Sequence, residues 1–306
     1  MPVSDAPDRT PPPRCVAIVG VGLIGGPVAM AVTRRMPDTP VIGLGRSQQS
    51  LDKAVGAGVL NAGCTTPQRL VELAADFGGA VDLVVVCTPV DRIPKDLRTV
   101  ASVLKDAVLT DAGSTKGSLA RAAETLPRPS QYVPAHPMAG SEKTGWRHAR
   151  ADLFEGRVCV VTPTPRSSAD AEARVVRFWQ SLGCRVVRMD ADAHDHAVAR
   201  VSHLPHLTAS ALMNVVGAET DLAAGGLADT TRVAAGDADL WTAIVQENAV
   251  AVTDCLSALG GELEAMRSEI AAADWDAVRA RLDRAAKLRQ TLDSRSPEDR
   301  HVGADR

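Results

Sequence analysis

The sequence predicts an α/β domain that is followed by an all-helical domain. From Arg14 to about Met189, short valine-rich runs such as CVAIVG, VDLVVVCTP and RVCVVTP alternate with helical stretches. Continuous apolar runs of this length are typical of strands buried on both faces, and the helices between them supply the crossovers of a mainly parallel sheet. After about Asp190 these runs stop, and apolar residues recur at helical spacing instead.

Helices are expected over 192–217 and 239–259, with Pro205 kinking the first of them, and a last helix begins at Asp274, a suitable N-cap residue. Five prolines among the first fourteen residues predict a disordered extension over 1–13. We therefore expect an α/β domain over 14–189, a helical domain over 190–292 and a flexible tail over 293–306.

Composition excludes several classes of protein. The chain has 306 residues, 34 Lys and Arg against 37 Asp and Glu, and a net charge of −3, which argues against a nucleic-acid partner. No apolar stretch approaches the roughly 18 residues of a membrane span, and the proline-rich start does not resemble a secretory signal. Six scattered cysteines without CxxC spacing indicate reduced thiols, which predicts a cytoplasmic location. The short apolar stretches predict that the protein has no membrane partner.

The first predicted strand runs into a glycine-rich turn. Gly20, Gly22 and Gly25, with Leu23 and Ile24 between them, form G-x-G-x-x-G after a strand and before a helix. Such a turn brings the backbone close to a pyrophosphate at a helix N-terminus, which predicts a Rossmann-type dinucleotide-binding domain. The alternative is a tight glycine turn in an α/β protein without a cofactor.

The end of the second predicted strand distinguishes the two nicotinamide dinucleotides. Sites specific for NAD usually place an acidic residue there to bind the ribose 2′-hydroxyl, but this chain has Gly45, followed by Arg46 and Ser47. Because a guanidinium can pair with a 2′-phosphate, NADP is favoured over NAD. The alternative is that Arg46 stacks on the adenine and both cofactors bind. Thr88 and Pro89, after another strand, are expected where cofactor and substrate meet.

Candidate catalytic residues follow later strands. Asp111 to Gly117, including Ser114, is a polar glycine-containing segment at a strand end, and His136 lies at the end of another strand. Histidine suits the task of accepting the hydroxyl proton during hydride transfer. Arg232 lies in a mostly apolar loop, where a guanidinium could bind a substrate carboxylate. No metal site is predicted from the histidines of 194–206, because no carboxylate or cysteine completes an obvious ligand set.

The ordered set of motifs over about 14–290 resembles the prephenate/arogenate dehydrogenase family. The matching segments are the Gly20–Gly26 turn, Asp111–Gly117, His136–Lys143, Ser202-His203-Leu-Pro-His206, and Thr231-Arg232 followed by Asp239-Leu-Trp241. The resemblance implies a Rossmann domain with a helical dimerisation domain. The implied reaction is the NAD(P)-dependent oxidative decarboxylation of prephenate to 4-hydroxyphenylpyruvate in tyrosine biosynthesis.

The resemblance also implies roles for individual residues. His136 would contact the ring hydroxyl and Arg232 the ring carboxylate, while Ser114 would lie near the hydroxyl and the nicotinamide. The remaining substrate-side residues that it implies are Ser141, Glu142, His203 and His206. Apolar stripes on the helices of 192–290 exceed what so small a domain could cover alone, so we expect a homodimer.

Gly45 departs from the acidic residue usual in the family. Arogenate dehydrogenase is the alternative activity, because the two substrates differ only in a keto group against an ammonium. Further alternatives are a β-hydroxyacid dehydrogenase or imine reductase, which also join a Rossmann domain to helices, and a non-catalytic NADP-binding sensor.

Overall fold

The computed structural model describes residues 11–139, 146, 150–218 and 221–294. Residues 1–10 of the predicted extension (1–13) and residues 295–306 of the predicted tail (293–306) lie outside this part of the chain. Pro13 is bound to the folded chain, because its carbonyl accepts a hydrogen bond from the Thr39 hydroxyl at 2.9 Å. The next residue donates its backbone N–H to the Asp82 carboxylate at 3.0 Å, which fixes the start of the first strand.

Within the described residues, five parallel strands form one sheet in the order β3-β2-β1-β4-β5. The strands are β1 (Val16–Val19), β2 (Val41–Leu44), β3 (Ala62–Cys64), β4 (Leu83–Val86) and β5 (Val108–Asp111). This arrangement confirms the predicted α/β class. Strand β3 was not predicted, because its three residues Ala, Gly and Cys lack the valine runs of its neighbours and two of them are only half-buried.

The later strands form a second, mixed sheet rather than extending the first. They are β6 (Ala135–Pro137), β7 (Val158–Val161) and β8 (Arg185–Arg188). Strand β6 pairs antiparallel with β7, and β7 pairs parallel with β8. A single parallel bridge between Leu109 and Tyr132 links the chain ahead of β6 to the first sheet.

Helices cover both faces of the five-stranded sheet. They are α1 (Gly25–Arg35), α2 (Gln48–Gly56), α3 (Pro67–Asp76), α4 (Ile93–Val103), α5 (Gly117–Ala123) and α6 (Ala169–Ser181). Side chains alternate along β1: Val16 and Ile18 join one buried cluster with α1 and α6, while Ala17 and Val19 join another with α3 and α4. The valine-rich strands are therefore apolar on both faces because both faces are covered.

The described residues after β8 are mainly helical, as predicted. Its elements are α7 (Ala191–Val198), a π-helical segment (Ala199–His203), α8 (Leu204–Val216), α9 (Gly225–Thr231), a 3₁₀ turn (Arg232–Ala235), α10 (Ala238–Glu247), α11 (Ala249–Ala271) and α12 (Trp275–Ser294). The π-helical segment ends just before Pro205, where a kink was expected. The helix expected over 239–259 is divided at Asn248. Asp274 caps α12, accepting the Ala277 backbone N–H at 3.1 Å.

The chain divides into two compact units. The first comprises 1–195 together with 235–248, and the second comprises 196–234 together with 249–306. In the second unit, α8 packs against α9 and α11, and α11 packs against α12. Arg281 of α12 forms ion pairs with Glu269, at 2.6 Å, and Glu262, both on α11. No helix among the described residues is long and apolar enough to cross a membrane.

Candidate active site

The glycine-rich turn between β1 and α1 has backbone geometry that other residues could not adopt. Gly20 has φ of +89°, and its N–H donates to the Leu44 carbonyl at the end of β2. A Cβ atom at Gly25 would lie 2.1 Å from the Gly20 carbonyl oxygen. The N-terminus of α1 can therefore lie against the carboxyl end of β1 only if glycine occupies both positions.

A cleft of about 480 Å³ opens at the carboxyl ends of β1, β2 and β4. Six of the residues predicted from the sequence to bind the cofactor line it: Gly20, Gly22, Arg46, Ser47, Thr88 and Pro89. The other three lie in the turn itself, where Ile24 packs against the buried cluster around α1, Gly25 is the first residue of α1, and Leu23 is half-buried. Brought together by the ends of three strands, these residues occupy the position where dinucleotides bind in sheets of this type.

The cleft fits a pyrophosphate. A Cβ atom at Gly22 would meet nothing within 4 Å, so the backbone there faces open space that a ligand could approach closely. The buried hydroxyl oxygen of Thr88 has no hydrogen-bond partner among the described residues. Because a buried hydroxyl without a partner is costly, this atom points to a ligand that completes its bonding.

The end of β2 carries positive charge and no carboxylate. Arg46 is exposed at the cleft, and Ser47 is the N-cap of α2, its hydroxyl accepting the Ser50 backbone N–H at 3.3 Å. Arg92 and Lys95, at the start of α4, also line the cleft and were not predicted from the sequence. The sequence signal that could have identified them is two basic residues, three positions apart, shortly after the end of β4.

His136 lies at the middle of β6, next to a buried ion pair. The Lys116 ammonium contacts the Asp111 carboxylate at 2.6 Å, and neither side chain is exposed. Both hold Ala135: the ammonium donates to its carbonyl at 2.6 Å, and the carboxylate accepts its N–H at 3.2 Å. Tyr132 donates its hydroxyl to the same carboxylate at 3.3 Å. Asp111 and Lys116 therefore fix the strand that carries His136.

Burial dominates the ionisation of this pair. It raises the pKa of Asp111, against the opposing attraction of the neighbouring ammonium, and it lowers the pKa of Lys116. Ser114 lies between the two residues in the chain and is half-buried. Because Asp111 and Lys116 both bond to the backbone of Ala135, the segment that carries Ser114 is held next to the residue before His136.

Two residues of α7 extend the site and were not predicted to act in it. The His136 Nδ1 atom lies 2.9 Å from His194 Nε2, and the rings meet edge to face with centroids 5.1 Å apart. His194 Nδ1 lies 2.8 Å from Asp195 Oδ1. The Asp195 carboxylate also accepts the backbone N–H groups of Lys116 at 2.8 Å and Gly117 at 2.7 Å. The sequence showed these histidines only as a cluster, since the contact joins residues 58 positions apart.

The surroundings set the charge of these groups. Burial lowers the pKa of His194, which favours the neutral imidazole at neutral pH. Burial alone would raise the pKa of Asp195, but hydrogen bonds from His194 and from the two backbone N–H groups outweigh it and lower the pKa. A carboxylate beside a neutral imidazole therefore stands next to His136.

The other predicted substrate residues are distributed differently. Ser141 and Glu142 lie outside the described residues. His203 and His206 belong to the second unit and are buried, one in the π-helical segment and the other in α8. Arg232 is exposed at the start of the 3₁₀ turn after α9, so the expectation of a plain loop was wrong. Among the described residues, no group of three His, Cys, Asp or Glu is placed to hold a metal ion.

A glycine turn beside a cleft at the strand ends, followed along the chain by a hydrogen-bonded histidine, is typical of nicotinamide-dependent dehydrogenases. Comparison with known protein families is specific. Residues 28–188 match the prephenate dehydrogenase nucleotide-binding domain, and residues 190–284 match the prephenate dehydrogenase dimerization domain. The chain therefore belongs to the prephenate dehydrogenase family and is an NAD(P)-dependent oxidoreductase.

Individual relatives agree. The chain is 32% identical over 286 residues to cyclohexadienyl dehydrogenase of Zymomonas mobilis, covering 90% of this chain and 95% of that one. A crystal structure of A. aeolicus prephenate dehydrogenase with hydroxyphenyl propionate and NAD+ superposes with a TM-score of 0.84 at 29% identity, covering 91% and 98% of the two chains. Synechocystis arogenate dehydrogenase gives a TM-score of 0.76 at 26% identity, covering 91% and 99%.

Proposed function

We propose that this enzyme converts prephenate to 4-hydroxyphenylpyruvate, carbon dioxide and reduced nicotinamide, on the route to tyrosine. The observation that carries the proposal is the placement of His136. It lies on a strand fixed by the buried Asp111–Lys116 pair, and its Nδ1 atom is hydrogen-bonded to His194. A histidine held in this way can take part in moving the hydroxyl proton of a carbinol substrate.

A nicotinamide dinucleotide held by the Gly20–Gly25 turn would supply the ring that takes the hydride from C4 of the substrate. His136 accepts the hydrogen of the 4-hydroxyl while the hydride and the carboxylate leave, and the proton returns to the phenol oxygen once carbon dioxide has gone. The new aromatic ring provides the driving force. The chain therefore has to hold the ring, orient C4 and polarise one O–H bond.

Further residues bind the substrate in this proposal. Arg232 pairs with the ring carboxylate, since an exposed guanidinium can form a bidentate contact with a carboxylate. Ser114 lies beside the hydroxyl and the nicotinamide, on the segment fixed next to Ala135. The remaining substrate-side residues proposed are Ser141, Glu142, His203 and His206.

Arogenate is the second candidate substrate, because relatives named arogenate and cyclohexadienyl dehydrogenase are among the matches. Arogenate carries an ammonium where prephenate has a keto group, and an ammonium favours an acidic partner. Among the substrate-side residues proposed from the helical part of the chain, His203 and His206 are not acidic, and neither is the nearby Ser210, which favours prephenate. Glu142 is the one acidic substrate-side candidate.

The test is to supply each substrate with NADP+ or NAD+, follow absorbance at 340 nm and identify the product by chromatography. We expect 4-hydroxyphenylpyruvate from prephenate with the higher kcat/KM. Tyrosine from arogenate as the faster reaction would reverse the assignment. Reduction of neither cofactor with either substrate would favour a non-catalytic NADP-binding role.

We also propose that NADP is the preferred cofactor. Arg46 and Ser47 stand at the N-terminus of α2, where the helix dipole favours an anion, and Gly45 offers no carboxylate to repel a 2′-phosphate. Arg92 and Lys95 add positive charge to the same cleft, against the single carboxylate of Asp96. A binding measurement with both cofactors tests this, and tighter binding of NAD+ would contradict it.

A homodimer and a cytoplasmic location complete the proposal. Large apolar side chains are exposed along the helices of the second unit, including Val215, Val250, Leu263, Leu282 and Leu288. Exposed apolar surface of this extent marks an interface, and the match to a dimerization domain indicates a second copy of this chain as the partner. A monomer mass by light scattering at micromolar concentration would contradict the dimer. All six cysteines are free thiols, which suits a reducing compartment.

A further inference from the structure

A chain of hydrogen bonds runs from a backbone-anchored carboxylate to the proposed catalytic histidine. Asp195 is held by the backbone N–H groups of Lys116 and Gly117 at 2.8 and 2.7 Å. Its Oδ1 atom lies 2.8 Å from His194 Nδ1, and His194 Nε2 lies 2.9 Å from His136 Nδ1. His194 has a side-chain exposure of only 1%, so water does not compete for its ring nitrogens.

The charge of Asp195 fixes the direction of each bond. An ionised carboxylate only accepts hydrogen bonds, so His194 Nδ1 must carry the hydrogen that points to it. A neutral imidazole has a single N–H, which leaves His194 Nε2 as an acceptor. The hydrogen between the two rings therefore belongs to His136 Nδ1, and His136 Nε2 is the unprotonated nitrogen.

The opposite arrangement is unfavourable. If His194 donated from Nε2, its Nδ1 lone pair would face a carboxylate oxygen 2.8 Å away. Protonating His194 on both nitrogens would avoid that repulsion but would place a cation in a buried position near the Lys116 ammonium. The nearby Asp111 carboxylate is already paired with that ammonium and with Tyr132.

We propose that His194 and Asp195 are positioning residues that hold His136 in the Nδ1–H tautomer, so that Nε2 is the atom that accepts the substrate hydroxyl proton. The inference rests on the proposed role of His136 in prephenate oxidation. When Nε2 accepts the proton, the imidazolium keeps its Nδ1–H bond to His194, and the Asp195 carboxylate beyond His194 stabilises the added charge. The proton then returns from Nε2 to the phenol oxygen.

A direct test does not depend on activity. We would label the histidines with ¹⁵N, record long-range ¹⁵N–¹H spectra of the full chain at pH 8 and assign His136 by comparison with His136→Gln. We expect His136 Nδ1 to be protonated and Nε2 to be unprotonated. A protonated Nε2 with an unprotonated Nδ1 would overturn the proposal, whichever substrate the enzyme uses.

A matched pair of variants tests the consequence for the reaction. His194→Phe removes the acceptor and keeps an aromatic ring, so kcat should fall by about 10–100-fold with little change in the KM for prephenate or the Kd for NADP+. His194→Gln supplies a side-chain carbonyl that can accept from His136 Nδ1, so its kcat should stay within a few-fold of the wild-type value.

The outcomes separate the two claims. Wild-type kcat in His194→Phe would overturn the positioning role even if the wild-type enzyme oxidises prephenate as proposed. Equal losses in His194→Phe and His194→Gln would also overturn it, because a merely structural role is not rescued by a hydrogen-bond acceptor. If the wild-type enzyme instead fails to oxidise prephenate, the proposed function fails, and the tautomer measurement still decides the hydrogen-bond direction.

Discussion

Replacing Arg46 by alanine should weaken NADP+ and leave NAD+ almost unchanged. Arg46 is exposed at the mouth of the cleft, where it is the first residue after Gly45 and precedes the N-cap of α2. A charge-assisted hydrogen bond contributes about 1.5–3 kcal/mol, and each 1.4 kcal/mol is tenfold in affinity, so the Kd for NADP+ should rise by roughly 10–150-fold.

The reciprocal change is Gly45→Asp, which supplies an acceptor for a ribose 2′-hydroxyl and repels a 2′-phosphate. The site tolerates a side chain, because a Cβ atom at Gly45 would lie 3.4 Å from its nearest neighbour, a Leu51 methyl group. By contrast, a Cβ atom at Gly43 would lie 2.5 Å from Leu60. Gly45→Asn is the matched control, since it has the same shape without the charge.

The assay is titration of each variant with NADP+ and NAD+, followed by quenching of tryptophan fluorescence and checked by kcat/KM. We expect Arg46→Ala to lose affinity only for NADP+, and Gly45→Asp to favour NAD+ more than Gly45→Asn does. Equal losses of both cofactors in Arg46→Ala would mean that the guanidinium stacks on the adenine, and the reasoning from the 2′-phosphate would be refuted.

Three further results are expected. Arg232→Ala should raise the KM for prephenate by roughly 10–100-fold through the loss of one charge-assisted contact, and an unchanged KM would assign the ring carboxylate to another cation. Lys116→Met should lower the free energy of unfolding by about 3–5 kcal/mol, because it leaves the Asp111 carboxylate buried without its partner. Urea denaturation measures this loss, and a loss below about 1 kcal/mol would mean that the pair is unimportant for stability. Burial lowers the pKa of His194, so below pH about 6.5 this histidine binds a proton more readily in the unfolded chain than in the folded one. The free energy of unfolding should therefore fall from pH 7 to pH 5. An equally steep fall in His194→Gln would contradict this.

The fold was largely predictable because its strands are buried on both faces. Runs such as Val84-Val85-Val86 leave no polar face, and this pattern identified four of the five strands in the parallel sheet. Strand β3 carries no such run, since it is short and lies at the edge of the sheet. The antiparallel pairing of β6 with β7 could not be predicted, because an apolar run does not reveal the direction of its neighbour.

The site was predictable where local sequence fixes it. The glycine turn is recognisable because Gly20 and Gly25, five positions apart in the chain, both lack room for a Cβ atom and so must be glycine. The link from His136 to His194 depends on a contact between residues far apart in the chain, so no local pattern shows it. The burial of Lys116 was missed for a related reason: a lysine after a strand end is usually exposed, and only the nearby Asp111 and the Ala135 carbonyl make its burial possible.

The central claim, that His136 takes part in prephenate oxidation, is tested most directly by His136→Ala. Single-turnover reduction of NADP+ by prephenate should be slowed by about 10²–10⁴-fold, the usual contribution of a residue that accepts a proton in the transition state. The Kd for NADP+ should remain within a few-fold of the wild-type value, because the cofactor cleft is lined by other residues. A variant that oxidises prephenate at nearly the wild-type rate would contradict the account.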